Sequence, residues 1–293
     1  MKRSIVFPLL FLPVALSGGL AAAPEKEASY PPHTIPGSEL RVLPTNGAGR
    51  HYQLSVGLPV SYAKETGRRY PVVYVTDGYW DFEKLDAIRG ALVFDKVAPE
   101  FIIVGLGYAG ENLDYGNLRS WELSPVPFGD GPDTGHAADF LTTIETQIIP
   151  FVEREYRADP AHRVLAGASL GGLFTLYAMY SKPGLFSAWV AVTPAVAVND
   201  GWLLGYELKF TQSGGELKGR LFASMGENEN PAFLSAILRY NSRIASRRYP
   251  HLAYQFRIID GERHAGMQLE SYTRGLRFVL APLAPEQGPG TLP

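Results

Sequence analysis

One short stretch of this chain is the strongest indication of its fold: His162-Arg163-Val164-Leu165-Ala166-Gly167-Ala168-Ser169-Leu170-Gly171-Gly172-Leu173. An apolar run ends in the pattern Gly-x-Ser-x-Gly and leads directly into a helix-like segment, as in the strand-turn-helix unit called a nucleophile elbow. Because the serine of such a turn has a strained backbone, the positions two before and two after it must lack side chains. Gly167 and Gly171 meet this requirement, so the pattern predicts Ser169 as a nucleophile. The alternative is an ordinary small-residue turn, since so short a pattern also arises by chance.

The same turn offers a donor for a developing oxyanion. A helix that begins at the serine directs its positive end, and the amide of Leu170, toward the place where a carbonyl oxygen would become negative. A second donor is expected in the loop Thr76-Asp77-Gly78-Tyr79, which follows another apolar run. There we predict the amide of Tyr79 as donor, with Gly78 allowing the backbone to approach the substrate. Asp77 is expected to fix the turn rather than to act as an acid.

A serine nucleophile needs a base, and histidine has the pKa that suits this task. Of the six histidines, only His264 follows a late strand-like run and precedes the last helix-like segment. The other five lie in the N-terminal lead-in or where a strand or helix begins: His33, His51, His136, His162 and His251. We therefore predict His264 as the base that acts on Ser169.

A carboxylate that orients the imidazole is expected between serine and histidine in the chain. The strand-like run Leu221–Met225 ends in Gly226-Glu227-Asn228-Glu229-Asn230, so two glutamates follow the same strand. Glu229 is our first choice and Glu227 the second. For either residue, the alternative is an exposed glutamate at the beginning of a helix.

Composition excludes several classes of protein. The chain has 293 residues, of which 46% are hydrophobic and 19% charged, as expected for one large α/β domain. A net charge of -2 gives no reason to expect a nucleic-acid partner. The sequence has no cysteine, which excludes disulfides and thiolate nucleophiles. No cluster of histidines and carboxylates stands at ligand spacing, so we predict neither a metal site nor a cofactor.

The two ends of the chain differ from the rest. A basic start, an apolar run over 5–16 and small residues up to Ala23 predict a signal peptide over 1–21, with cleavage after Ala21. Residues 22–36 resemble a disordered lead-in, 37–283 a single domain and 284–293 a flexible tail. No second long apolar run follows, so a membrane span is not expected. These features predict a periplasmic or secreted protein.

Strand-like and helix-like segments alternate along the rest of the chain. Besides the elbow, strand-like runs lie at 38–43, 51–58, 70–75, 101–104, 186–192, 220–225 and 252–259, and helix-like segments at 80–96, 138–156, 231–249 and 268–280. Thr45-Asn46-Gly47 is expected to turn between the first two strands. This alternation predicts an α/β fold with a mostly parallel central sheet flanked by helices. Functional groups should lie at the carboxyl ends of its strands.

A competing motif lies at Gly105-Leu106-Gly107-Tyr108-Ala109-Gly110, which matches the dinucleotide-binding fingerprint. That fingerprint requires a helix directly after it to hold the pyrophosphate. Residues 111–132 are rich in glycine and proline, which predicts no helix there. Nucleotide binding is therefore disfavoured.

Aromatic residues near the predicted site could bind a substrate. The loop 108–135 contains Trp121, and the segment after Pro194 contains Trp202, so both are candidate substrate-binding residues with Arg119. Packing of a long loop is an equally good explanation for the aromatic residues. Arg119 stands in this loop among several acidic residues, so the charge of the loop does not favour binding of an anionic ferric catecholate.

Taken together, these motifs resemble the putative-esterase family of α/β hydrolases, which includes siderophore esterases, S-formylglutathione hydrolase, feruloyl esterases and mycolyltransferases. The resemblance covers roughly residues 35–283 and rests on four motifs, at 71–78, 167–172, 226–229 and 261–264. It implies an α/β-hydrolase fold and a serine esterase that acts on a small-molecule ester. Ser169, His264 and one of the two glutamates occupy the matching positions.

Two alternatives remain open. Some siderophore esterases of this kind are thought to use a serine-histidine pair without an orienting acid, so trilactone hydrolysis by Ser169 and His264 alone is one. A catalytically silent binding protein with a hydrolase fold is the other, although both reactive residues are present. The family's Arg followed by Thr-Pro appears here as Arg119-Ser120-Trp121-Glu122-Leu123-Ser124-Pro125, where Arg119 has either a structural or a substrate-binding role.

Overall fold

The computed structural model describes residues 33–45, 49–129 and 134–286. The expected signal peptide, most of the lead-in, the Asn46-Gly47 part of the first turn and residues 287–293 of the tail lie outside the described residues. Described residues from Ile35 onward form one compact unit.

The described residues contain an eight-stranded sheet. Its strands are β1 Ser38–Val42, β2 Tyr52–Gly57, β3 Tyr70–Val75, β4 Ile102–Tyr108, β5 Ala158–Ala168, β6 Ala188–Val192, β7 Lys218–Gly226 and β8 His251–Ile259. They lie in the order β1-β2-β4-β3-β5-β6-β7-β8. Only β1 with β2 and β2 with β4 pair antiparallel, and every other pair is parallel. The predicted mostly parallel sheet is confirmed.

Helices connect the strands and cover the sheet. They are α1 Gly78–Phe94, α2 Tyr115–Leu123, α3 Ala137–Thr143, α4 Ile149–Glu155, α5 Leu170–Ser181, α6 Val198–Gln212, α7 Pro231–Arg247 and α8 Gln268–Leu280. A π-helical turn over Ile144–Ile148 joins α3 to α4, so the helix predicted over 138–156 is one nearly continuous run.

The central strands carry the core on both faces of the sheet. All six residues of β3 are buried, as expected for a β-branched run in a parallel strand covered on both sides. Successive side chains of a strand point to opposite faces. Accordingly, Tyr74 packs in a cluster with Phe174 of α5. Val75 packs with Leu85 of α1 and Leu276 of α8 on the other face. These two layers fix the strand ends at which the predicted site residues lie.

The structure corrects the prediction in two places. Helix α2 lies within 111–132, where glycine and proline predicted no helix, and α6 lies in a segment with no predicted element. Gly116 is tolerated in the first turn of α2, and the carboxylate of Asp114 caps that turn by accepting from the amide of Asn117 at 3.0 Å. A carboxylate at this helix start disfavours a phosphate there, so the fingerprint beginning at Gly105 still does not indicate nucleotide binding.

Candidate active site

Ser169 lies in the turn between β5 and α5 with a strained backbone. Its φ of 58° and ψ of -118° belong to a region that residues with side chains rarely adopt. The neighbouring strand end holds this conformation, because the amide of Ser169 donates to the carbonyl of Val192 at 3.0 Å and its carbonyl accepts from the amide of Ala195 at 2.9 Å. The turn therefore has the geometry that the sequence pattern predicts for a nucleophile elbow.

The glycines of the elbow are required by close packing. A Cβ atom at Gly167 would lie 2.5 Å from the carbonyl oxygen of Gly171, and one at Gly171 would overlap the hydroxyl of Thr76. Gly172 is just as confined, because a Cβ there would lie 2.9 Å from Cα of Pro194. Side chains at these positions would push the turn away from β3 and β6.

His264 lies in the loop after β8, and its imidazole contacts a buried carboxylate. Nδ1 of His264 is 2.8 Å from Oε2 of Glu229, whose side chain is only 3% exposed. Glu229 also accepts from the hydroxyl of Thr193 at 2.5 Å and from the amide of Asn230 at 3.0 Å. Since the carboxylate accepts at Nδ1, the other ring nitrogen is left to act as a base.

The contacts of Glu229 favour its ionised form. Burial raises the pKa of Glu229, but the donors Thr193, Asn230 and His264 outweigh burial and hold this pKa below its ordinary value. The group is therefore a carboxylate at neutral pH. A fixed negative charge at this place stabilises a positive charge on the imidazole.

Glu227, the second choice, faces elsewhere. Its carboxylate accepts from the amide of Gly261 at 2.8 Å and so ties the end of β7 to the loop after β8. In the part of the chain that the structure describes, Glu229 is the one carboxylate bonded to His264.

Ser169 and His264 line one cleft of about 270 Å³ at the carboxyl edge of the sheet. The other residues of its lining are Asp77, Trp80, Asp81, Lys84, Arg119, Ala168 and Gln268. No hydrogen bond among the described residues joins Ser169 to His264. Bonds of this kind often tighten only when substrate binds, so the shared cleft is the more informative observation.

The two predicted oxyanion donors lie at the starts of two helices. Leu170 is the first residue of α5 and Tyr79 the second residue of α1, so neither amide has an acceptor within its own helix. The preceding strands, β3 and β5, are parallel neighbours, which brings both helix starts to the same edge of the sheet. A Cβ at Gly78 would lie 2.7 Å from Cα of Gly105, so this glycine is needed to pack α1 on β4. Sequence reasoning assigned it only to substrate approach.

Arg119 of α2 reaches the same edge and binds Asp77. Its Nε and Nη2 atoms donate to the two carboxylate oxygens of Asp77, each at 2.8 Å. The side chains are 15% and 4% exposed, respectively. The carboxylate of Asp77 thus ties its turn to α2 rather than bonding to the backbone of the turn, and Arg119 lies in the cleft with Nε and Nη2 engaged.

Of the three tryptophans near this region, the one that lines the cleft was not predicted. Trp121 stacks on the imidazole of His136 at 3.9 Å between ring centroids, and Trp202 stacks on Tyr206 at 4.8 Å. Neither is among the residues that line this cleft, so a substrate-binding role for Trp121 or Trp202 stays a prediction. Trp80 does line it and is 55% exposed. Because Trp80 lies three residues after Asp77, close to a strand end, its position in the sequence could have indicated that it lies near the site.

A second polar cluster in the cleft was also missed. Nζ of Lys84 contacts Oδ1 of Asp81 at 2.6 Å and Oε1 of Gln268 at 2.8 Å, which links α1 to α8. The hydroxyl of Tyr272 donates to the other oxygen of Asp81 at 2.5 Å. Burial raises the pKa of Asp81 despite these two donors. Nothing in the sequence pairs residues so far apart along the chain.

Within 33–45, 49–129 and 134–286, no group of three histidine, aspartate or glutamate side chains is arranged to hold a metal ion. The same part of the chain has no helix of the length and apolar character needed to cross a membrane.

Comparison with known proteins places this chain in an enzyme class, the esterases. The chain belongs to the family described as putative esterase, whose pattern matches residues 45–244. It is 26% identical over 282 residues to ferri-bacillibactin esterase BesA of Bacillus subtilis, covering 88% of this chain and 94% of that protein. It is 29% identical over 187 residues to a siderophore triacetylfusarinine C esterase of Aspergillus fumigatus, covering 62% and 64% of the two chains.

A solved structure, the BES protein from Bacillus cereus, superposes with a TM-score of 0.77 at 25% identity. The match covers 86% of this chain and 99% of that one. The resemblance to esterases that the motifs indicated is thereby confirmed.

Proposed function

We propose that this chain is an exported serine esterase that hydrolyses carboxylic esters through an acyl-serine intermediate. The observation that carries the proposal is the bond of 2.8 Å between His264 and the buried carboxylate of Glu229, in the cleft that Ser169 also lines. An arrangement of nucleophile, imidazole and orienting acid is recognised by geometry and roles.

The proposed reaction has two halves. Nε2 of His264 accepts the proton of Ser169 as the serine oxygen attacks the ester carbonyl, and the carbonyl oxygen becomes an oxyanion. The amides of Leu170 and Tyr79 stabilise that oxyanion. When the intermediate collapses, the C–O bond to the alcohol breaks and His264 returns the proton to the leaving alcohol. Water, deprotonated by His264, then attacks the acyl-serine. The C–O bond to Ser169 breaks, His264 returns the proton to the serine oxygen, and the acid is released.

Glu229 gives the imidazole its orientation and tautomer in this scheme. Its carboxylate accepts from Nδ1, so Nε2 is the basic nitrogen, and its charge stabilises the imidazolium that forms in each half-reaction. This contact favours a triad over a mechanism that uses only Ser169 and His264.

For the substrate, a siderophore ester is a second and narrower candidate. Relatives over much of the chain are named as esterases of ferri-bacillibactin and triacetylfusarinine C. The lining supports it only in part. The exposed ring of Trp80 suits a flat aromatic group, but the cations Lys84 and Arg119 are already paired with Asp81 and Asp77. Export rests on the signal-peptide pattern over residues 1–21.

The experiment is hydrolysis of para-nitrophenyl acetate, butyrate and octanoate by the mature chain and by Ser169→Ala, with a serine-directed phosphonate as a probe. We expect turnover of the short esters, labelling of Ser169, and loss of both in the variant. Near-native turnover by Ser169→Ala would refute the proposal. If the wild-type protein neither hydrolyses these esters nor reacts with the phosphonate, the chain is a binding protein; labelling without turnover indicates an esterase of narrow specificity.

A further inference from the structure

Helix α2 contacts the turn that carries Tyr79, whose amide is a predicted oxyanion donor, at two places. Arg119 of α2 binds Asp77 in a bidentate pair. A second contact joins the same two segments, because the ring of Tyr115 stacks on that of Tyr79 with centroids 4.0 Å apart and planes 24° apart. Helix α2 therefore contacts the turn both before and at the residue that offers the amide.

The backbone of this turn needs to be held. Asp77 has φ 54° and ψ 41°, the left-handed conformation that is unfavourable for residues with side chains. Its carboxylate does not cap α1, although it directly precedes that helix. Both carboxylate oxygens are instead bound by Arg119, and the hydroxyl of Tyr79 donates to one of them at 3.2 Å. The side-chain contacts thus replace a cap and fix the direction in which α1 begins.

The pairing also determines what Arg119 is able to do. The planar guanidinium matches a carboxylate with two parallel bonds, which gives fixed geometry as well as attraction. Nε and Nη2 are held by a nearly buried partner, so a substrate group that took over this fork would displace Asp77 and leave a buried carboxylate unpaired, and Nη1 alone has no bond to Asp77. A role through Asp77 fits these contacts better than binding of a substrate charge.

We infer that Arg119 is a positioning residue that acts through Asp77 on the amide of Tyr79, so that α2 sets the geometry of the oxyanion site. The inference rests on the proposed serine esterase mechanism. It separates Arg119 from the substrate-binding residues and gives α2 a function that its sequence did not indicate.

The test uses para-nitrophenyl acetate, a neutral ester that offers no charge for an arginine to bind. We expect Arg119→Met to lower kcat by about 10- to 100-fold, since loss of a whole oxyanion donor costs about 100- to 1000-fold. KM should change by less than about threefold. Arg119→Lys should recover only part of the loss, because lysine lacks the fork. Arg154→Met, which removes an exposed arginine of α4, is the matched control and should retain wild-type kinetics.

A double-mutant cycle then asks whether the two residues act as one unit. Asp77→Asn should lower kcat like Arg119→Met, and the double variant should be no slower than the slower single variant. Multiplying losses, or a loss confined to KM, would overturn the inference. Circular dichroism checks folding, and phosphonylation of Ser169 provides a second readout, since that reaction uses the same oxyanion donors. Arg119→Lys is the milder variant if Arg119→Met does not fold, and wild-type kcat in folded Arg119→Lys would also overturn the inference.

The outcomes distinguish this inference from the proposed function. If the wild-type serine is not labelled by phosphonate, the serine mechanism fails. If it is labelled and the folded Arg119 variants are labelled at the wild-type rate, only the positioning role fails.

Discussion

The carboxylates of Glu229 and Glu227, two residues apart, have different partners: Glu229 binds the imidazole of His264 at 2.8 Å, and Glu227 accepts from the amide of Gly261 at 2.8 Å. One glutamate thus contacts the candidate base, and the other braces the loop that carries it. The pair provides a matched test of the orienting acid.

Glu229→Gln should lower kcat on para-nitrophenyl butyrate by on the order of 10²- to 10⁴-fold, because the amide neither fixes the tautomer of His264 nor stabilises the imidazolium. Glu227→Gln keeps an acceptor for Gly261 and should change kcat by less than about threefold. Steady-state kinetics of both purified variants decide the matter. Equal losses, or a larger loss in Glu227→Gln, would contradict the assignment and favour a serine-histidine pair or the other acid.

Trp80→Ala should raise KM for aryl esters by about 2- to 10-fold with little effect on kcat, because the exposed ring offers a stacking surface in the cleft. Trp202→Ala is the comparison. Its ring stacks on Tyr206 outside the cleft lining, so this variant should lower the melting temperature and leave KM unchanged. The reverse pattern in the KM values would identify Trp202, and not Trp80, as the substrate contact.

The buried carboxyl of Glu122 makes the stability of the protein depend on pH. Burial raises its pKa to about 7, although the hydroxyl of Tyr52 donates to it. Because the folded pKa lies above the unfolded value, the folded state binds the extra proton. The stability that this proton contributes is fully present below about pH 4.5 and is lost as pH rises through about 7. The free energy of unfolding falls by up to about 3 kcal/mol over this range.

Glu122→Gln should therefore be more stable relative to the wild-type protein at pH 8 than at pH 5. Urea unfolding at the two pH values measures the difference, and Glu83→Gln on the exposed surface of α1 is the control that should show no such trend. A constant difference between Glu122→Gln and the wild-type protein across this range would show that the carboxyl does not titrate there.

Gly171→Ala should destabilise the fold by about 1–3 kcal/mol and lower kcat, because the added methyl group overlaps the hydroxyl of Thr76 and displaces the elbow. Gly205→Ala in α6 has open space around the added Cβ and should stabilise the protein by about 0.5–1 kcal/mol without affecting kcat. Thermal melts and kinetics of the pair separate steric overlap from loss of glycine as such. A Gly171→Ala protein with native stability would show that the elbow has room to shift.

Local patterns were sufficient to predict some of these residues. Ser169 is predicted as the nucleophile because its turn needs glycines at fixed spacing, and His264 is predicted as the base because it follows the last strand. The choice between Glu227 and Glu229 depends on how the loop after β8 packs on the end of β7, a long-range contact that spacing does not encode. The order of residues in the sequence therefore limits the candidates for the orienting acid to two, and only the folded structure shows that the two carboxylates have different partners.

Helix α2 shows the opposite situation. Its glycine and the prolines after it predicted an irregular loop, yet tertiary contacts hold it as a helix: Arg119 binds Asp77, and Glu122 accepts from Tyr52. Propensity is a weak guide where such contacts decide. The stacking of Trp121 on His136 is likewise not predictable from the sequence, because it depends on how the loop folds.

Three strand ends of the cleft region share one property: the residues that follow β3, β5 and β6, namely Asp77, Ser169 and Thr193, have φ values of 54°, 58° and 37°. Each such conformation costs about 1–3 kcal/mol, a large share of the 5–15 kcal/mol that separates a typical native domain from its unfolded chain. A laboratory selection for heat resistance alone would thus favour substitutions at these positions, because relaxing a strained backbone there increases the free energy of unfolding. We expect the selected variants to be more stable but inactive. Directed evolution of a thermostable enzyme from this chain therefore has to select for turnover at the same time.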